Sequence, residues 1–494
     1  MRIKDIALLQ QEAAQSGGAT LKRNLGSFSL ITIGIGVIIG AGLFSLTGIA
    51  AANNTGPAVT LSFLLAAVGC AFCALCYAEF AAMVPVAGSA YTYSYATMGE
   101  LFAWIIGWDL VLEYSVGAAT VAISWSQYLV KFLSAYNIFL PAQWTLSPFE
   151  TATLANGSVV RGFVNLPAIF IVALITAIII RGVRGSALIN SAIVALKVGV
   201  VLLFIFLGLN YIQPENYQPY IPQNTGTFGE YGWSGVLRGA GVVFFVFIGF
   251  DIVATMAQEA RNPQKTMPKG IIGSLLICTV LFMAFGFVLT GMAHYTEFRG
   301  SAAPVAVAIE KTPYFWLKQG VILAILIGYI SVIMVDLLGQ SRVFYSMSKD
   351  GLLPNLFSQL HPRFHTPHKS NILLCAFIAL FAGFVPINVV GEMVSIGTLP
   401  AFIMVCLGVI ILRKRMPHVH RPFRTPWVPL VPILGIITCA LMMVALPADT
   451  WLRLLVWLAL GLVIYYAYGR KRSKLARSAS STHLAPKGDG PLKV

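Results

Sequence analysis

Between Gly34 and Phe44 the chain reads GIGVIIGAGLF, which places four glycines inside a long apolar stretch. Glycine gives up more conformational freedom in a helix than any other residue, so a helix is prone to break there. A break in lipid exposes amides and carbonyls that hydrocarbon cannot satisfy, and it survives only where the backbone lines a cavity inside the protein. A second such place is FFVFIGFD, Phe244 to Asp251, where Gly249 and a carboxylate interrupt another apolar span. Interrupted helices of this kind carry the substrate and ion sites of membrane carriers.

Composition puts both segments in a bilayer. Of the 494 residues, 57% are hydrophobic and 10% are charged, against about 25% charged in ordinary soluble domains. The net charge of +15 is spread over short loops and the C-terminal stretch rather than over one soluble face, which argues against nucleic acid as a partner. At roughly 20 apolar residues per membrane helix, twelve spans are predicted: 28–50, 58–83, 99–132, 163–181, 187–210, 236–258, 271–295, 319–347, 370–386, 391–412, 429–447 and 450–469. With the amino terminus inside, Arg181, Arg184, Arg261, Lys265, Lys269, Lys349, Arg363, Lys369, Arg413 to Arg415 and Arg470 to Arg472 all fall on one side. The positive-inside rule then places both termini in the cytoplasm and the chain in the inner (cytoplasmic) membrane.

The predicted class is an all-α integral membrane protein. Residues 1–27 form a cytoplasmic segment with no cleavable apolar leader. Because the interrupted spans are the first and the sixth, residues 28–210 and 236–412 read as two five-helix halves of opposite orientation, followed by two extra helices over 429–469. The polar, Ser-rich stretch 473–494 is expected to be disordered. Residues 348–369 are expected to form a short interfacial helix, and no soluble domain is expected.

Ionisable groups inside apolar spans are costly and face a cavity or a partner. Lys197, in SAIVALKVGVVLLF, lies too deep to snorkel to water; it is either a proton-handling group or a fixed cation that holds the broken first helix. Asp251 is either a carboxylate that exchanges a proton or an anchor for the restarted helix. Glu113 lies one turn beyond Asp109 on GWDLVLEY, and Asp109, beside Trp104 and Trp108, reads as interfacial. Asp336 has no cation near it in sequence, so a cationic substrate side chain, a proton or a neighbouring helix must compensate it. Glu79 and Glu392 are further candidates.

Other patterns carry less. GIGVIIG mimics a dinucleotide-binding loop but lacks any βαβ context. Cys70, Cys73 and Cys76 have iron–sulfur-like spacing without a matching fourth cysteine in sequence, and all seven cysteines read as small apolar packing residues. Histidines 361, 365, 368, 418 and 420 lie in basic loops, so no metal or other cofactor is expected. No nucleophile, base and oxyanion set occurs at recognisable spacing, which argues against an enzyme.

From Leu25 to Arg472 the chain resembles the amino acid–polyamine–organocation superfamily, and within it the bacterial cationic amino acid transporter branch. The segments that carry the resemblance are GIGVIIGAGLF, CYAEFAAMVPVAGSAYTYSYATMGE, GWDLVLEY, VALKVGVV, FFVFIGFD, EARNPQKTMPKGI, GQSRVFYSMSKDGLLP and RPFRTPWVPLVPI. The resemblance implies a LeuT-like fold in which Gly40, Ala41 and Gly42 present amides to the amino acid carboxylate. The carbonyls of Ile38, Phe245, Val246 and Ile248 would hold the ammonium. Ala41 stands where many relatives have a hydroxyl residue. The resemblance also implies that Lys197 occupies a sodium site of sodium-coupled relatives and works with Asp251 in proton coupling, and that Glu113 and Asp336 floor the side-chain pocket. The function implied is proton-coupled transport of arginine, lysine or ornithine by alternating access. The alternatives are a small neutral amino acid symporter, an amino acid/amine exchanger, or a transporter-like nutrient sensor.

Overall fold

A computed structural model describes residues 25–84, 89–153, 158–182, 187–364 and 366–474. The segment 1–24, Arg184, His365 and residues 475–494 of the tail lie outside those residues. Helix α1 (Ser27–Ile38) stops at the glycine-rich stretch, and a wide turn, Gly42–Leu46, leads into the short α2 (Thr47–Ala50). There follow α3 (Val59–Met83), α4 (Ser89–Thr97), α5 (Glu100–Ser134), α6 (Leu166–Ile180), α7 (Ala187–Gly208), α8 (Gly232–Val243) and α9 (Phe250–Thr255). The remainder are α10 (Pro263–Met292), α11 (Pro304–Ile309), α12 (Phe315–Lys349), α13 (His368–Phe384), α14 (Ile387–Arg415), α15 (Leu430–Ala445) and α16 (Ala448–Ile464). Eight helical stretches among the described residues are long and apolar enough to cross a membrane, and four shorter apolar helices accompany them.

Packing divides the molecule. Helix α10 lies along α1 and α3, and α3 lies along α8; against this group stand α5, α12, α6 and α13, which pack on one another. The two interrupted segments meet between the groups. Helix α1 ends with Ile39 extended (ψ 102°). On the other strand of the crossing, α8 passes into a tight turn at Phe244–Phe247, Ile248 is extended (ψ 135°), and Gly249 takes φ +127° before α9 begins. Only glycine enters that region of backbone space without strain. A Cβ on Gly42 would lie 2.7 Å from the Val246 Cα, so the missing side chain is what lets the two backbones touch.

Three expectations need correction. Residues 348–369 hold no interfacial helix: Gly351, Pro354, Pro362 and Pro367 punctuate the stretch, and one short 3₁₀ turn, Asn355–Phe357, is its helical content among the described residues. The tail is ordered at its root, because the Ser473 hydroxyl, fully buried, donates to Glu100 Oε2 at 2.6 Å and the Lys474 amide donates to the Asp350 carbonyl at 3.0 Å. Asp109 is not interfacial, since it is 1% exposed. The tryptophans beside it point to α16 instead: Trp104 Nε1 donates to the Gly461 carbonyl, and Trp108 and Trp457 stack at 4.4 Å with reciprocal indole-to-carbonyl bonds of 2.9 and 3.1 Å. Elements without a counterpart in the sequence reading include α4, whose Tyr91, Tyr93 and Tyr95 are buried, the short α11, and a hairpin of β1 (Thr151–Thr153) with β2 (Val159–Arg161), antiparallel in the loop before α6.

Candidate functional site

Where the two breaks cross, the structure leaves a cavity of about 30 Å³ lined by Ile38, Gly40, Ala41, Gly42, Glu113, Phe245, Ile248 and Asp336, among others. Eight of the nine residues expected to contact substrate therefore converge on one space. Val246, the ninth, lies directly behind Gly42. The volume holds more than the 10–15 Å³ or so that one water needs, yet is far below the roughly 300 Å³ at which small-molecule pockets begin. The arrangement is a closed one.

Gly40 and Ala41 line the cavity, and outside the regular helices neither amide is seen to donate to a carbonyl among the described residues. Ending at Ile38 also deprives the Gly36 carbonyl of the amide that would close its turn. Lys197 of α7, 2% exposed, supplies the missing donor with an Nζ–O distance of 2.7 Å. Its stem lies against Gly328 of α12, where an added Cβ would come within 3.1 Å of the lysine Cγ. Lys197 thus fastens α1 to α7 and α12.

Asp251 caps the restart of α9. Its Oδ1 accepts from the Gly249 amide at 3.1 Å and its Oδ2 from the Tyr114 hydroxyl at 3.4 Å. Lys197 stands within electrostatic reach of Asp336, and Asp336 within reach of both Asp251 and Lys197. No ion pair joins Lys197 to Asp336 among the described residues; the lysine's hydrogen bond goes to the Gly36 carbonyl. Glu113, 1% exposed, makes no well-aligned hydrogen bond through either carboxylate oxygen among the described residues. Thr398 approaches it, but that hydroxyl is engaged by the Val394 carbonyl at 2.9 Å.

Several wall residues escaped the sequence reading: Tyr114, Gly117 and Val121 of α5, Ile252 of α9, Val332 of α12 and Val394 of α14. The helical spacing of 114, 117 and 121 beside Glu113 is a signal that could have found three of them. Above the cavity, the Tyr128 hydroxyl donates to the Phe44 carbonyl at 2.7 Å and the Tyr329 hydroxyl lies 3.2 Å from Ser45 Oγ, which ties the wide turn after the break to α5 and α12.

Other candidates resolve as structure. Glu79 accepts from Arg413 Nε and Nη2 at 3.0 and 2.9 Å and from the Thr425 amide at 2.7 Å, with Arg421 Nε at 3.3 Å. Glu392 accepts from Thr450 Oγ1 at 2.8 Å. Cys73 is within 3.5 Å of Cys439 and 3.7 Å of Cys406, sulfur to sulfur, so the cysteines missing from sequence spacing arrive from α14 and α15. All are free thiols, and no metal-binding group of three or more His, Cys, Asp or Glu occurs among the described residues.

The model of the amino acid permease family matches residues 25–464. The chain is 41% identical to the methylthioribose transporter of Bacillus subtilis over 94% of this chain and 98% of that one. It is 43% identical to the branched-chain amino acid permease BcaP of the same organism, over 94% and 96%. To the vacuolar cationic amino acid transporter 4 of Arabidopsis thaliana it is 33% identical, over 81% and 65%. The family match runs through both interrupted segments and every wall of the cavity, and the chain belongs to the amino acid permease family, as a multi-pass membrane transporter and not an enzyme.

Proposed function

We propose that the protein carries cationic L-amino acids across the cytoplasmic membrane together with protons, by alternating access around the two interrupted segments of a LeuT-like inverted repeat. The substrate carboxylate would sit on the Gly40–Gly42 amides and its ammonium on the carbonyls of Ile38, Phe245, Val246 and Ile248. Both termini would face the cytoplasm. The observation that carries the side-chain assignment is Glu113: two buried carboxylate oxygens that make no well-aligned hydrogen bond among the described residues, on the same cavity wall as Asp336. A buried carboxylate is stable only when protonated or paired. A guanidinium or ammonium on the substrate would supply the pair for these carboxylates, and the co-transported proton would be handled by Lys197 and Asp251, both buried beside the crossing.

A second reading rests on Val121, Val332, Val394 and Ile252, which give the same cavity an apolar wall, and on the similarity to a branched-chain amino acid permease. In that reading Glu113 and Asp336 stay protonated throughout. Competition by all twenty amino acids against a labelled substrate, in proteoliposomes of wild type and Asp336→Asn, separates the two. Arginine or lysine competing best in wild type, and falling by tenfold or more in the variant while alanine holds, supports the cationic reading. Leucine, isoleucine or valine competing best, with an unchanged order in the variant, replaces it.

A further inference from the structure

Away from the transport cavity, the last turn of α12 and the helical turns that continue α16 to Arg472 enclose a second cavity of about 280 Å³. Lys349, Asn355, Tyr468, Arg472 and Lys474 are among its lining residues, with the hydroxyls of Ser348 and Ser358. Among the described residues no carboxylate lines it. Among them, too, Lys349, Arg472 and Lys474 form no ion pair; Lys349 lies over the Tyr345 ring and Arg472 over the Tyr468 ring, at 5.4 and 4.8 Å. The nearest acid in sequence, Asp350, is turned to Tyr91, whose hydroxyl donates to Oδ2 at 2.8 Å. Three cations thus converge from two segments more than a hundred residues apart in sequence, with no acid on the cavity wall among the described residues.

A helix C-terminus ordinarily repels anions through its orphan carbonyls. Here those of α12 are satisfied. Gly351, at φ +82°, donates to the Ser348 carbonyl, and Leu352 donates to Met347, a Schellman closure that covers the last turn. The same glycine admits the tail root, because a Cβ on it would lie 2.4 Å from the Arg472 carbonyl. Donors remain on the cavity wall. Asn355 uses none of its side-chain donors, and Tyr468 receives a bond from Arg472 at 3.4 Å without giving one.

We propose that this cavity binds a phosphate group, either the headgroup of an anionic phospholipid or a soluble phosphate, and that the bound anion clips the root of the tail to α12. Tetrahedral phosphate oxygens match a convergent set of ammonium, guanidinium and amide donors, whereas a single carboxylate would leave most of them unused. Removing one cation near an anionic lipid weakens binding about fivefold.

The test uses the full-length protein purified in a neutral detergent. Native mass spectrometry and thermal melting would follow titration with short-chain phosphatidylglycerol, phosphatidylcholine and inorganic phosphate. The proposal expects phosphatidylglycerol or phosphate to bind and stabilise, and phosphatidylcholine not to. Each of Lys349→Gln, Arg472→Gln and Lys474→Gln should weaken that binding about fivefold, and the triple variant about a hundredfold. Inorganic phosphate acting alone at millimolar level identifies a soluble ligand, and phosphatidylglycerol acting alone identifies lipid. Lys265→Gln, an exposed cation outside the cavity, should change nothing. Binding equal to wild type in the folded single variants, an equal loss in Lys265→Gln, or no response to either phosphate compound overturns the proposal.

Discussion

Replacing Lys197 by methionine is the sharpest probe of the broken helix. Methionine is one heavy atom shorter and apolar, so the packing against Gly328 is nearly kept while the donor to the Gly36 carbonyl disappears. A hydrogen bond from a charged donor contributes about 1.5–3 kcal/mol, and at about 1.4 kcal/mol per tenfold its loss should weaken substrate binding roughly 10- to 150-fold, because Gly36 lies two residues before the carbonyl of Ile38. If the amine also carries the coupled proton, accumulation driven by an imposed pH gradient should vanish. Binding is measured by scintillation proximity on purified protein, and accumulation in proteoliposomes. Gly328→Ala serves as the companion, since its methyl would press the lysine stem at 3.1 and 3.2 Å without removing the charge. It should weaken binding mildly and leave pH-driven uptake in place. Wild-type affinity together with wild-type pH-driven accumulation in Lys197→Met would refute both the structural and the coupling role.

The glycines of the break should not behave alike. Gly42→Val, which forces a side chain into the Val246 backbone, should abolish binding, whereas Gly40→Ala, whose methyl meets only Val332 at 3.4 Å, should cost less than tenfold; equal losses in a binding assay would contradict the crossing described here. Glu79→Gln leaves Arg413 and Arg421 without their buried carboxylate and should destabilise the protein by about 3 kcal/mol, read as a lower melting temperature with unchanged substrate ranking. Truncation after Gly469 removes the Ser473–Glu100 and Lys474–Asp350 bonds and should lower the melting temperature, while truncation after Lys474 should leave it within a degree or so.

The membrane helices and their interruptions were legible because hydropathy and glycine density act locally along the chain. The convergence of Gly40, Glu113, Phe245 and Asp336 was foreseen only through family resemblance; nothing in the spacing of those residues shows that α5 and α12 meet the breaks. Helix α4 stayed hidden because SAYTYSYAT has neither a membrane span's length nor an amphipathic period, and its tyrosines are buried by tertiary contact. Asp109 misled because flanking tryptophans usually mark a membrane interface, whereas here they stack against another helix. Lys197 and Gly36 lie 161 positions apart, so no sequence window could match that donor with the carbonyl it satisfies.

Helix α14 carries a proline at position 400, and its two halves answer to different neighbours. Gly397, one turn before, lies 3.5 Å from Leu112 of α5 when given a Cβ. Past the proline, Phe402 meets Tyr77, Gly408 meets Phe80, and Arg413 is forked onto Glu79, all on α3. Proline removes one rung of the helical ladder and lets the rod flex there. A displacement of α3 relative to α5 would pull on the half of α14 after Pro400 while Leu112 holds the half before it, so Pro400 would act as a knee. Stiffening it with Pro400→Ala should slow turnover at saturating substrate while leaving equilibrium affinity alone, the signature of a joint rather than of a binding wall.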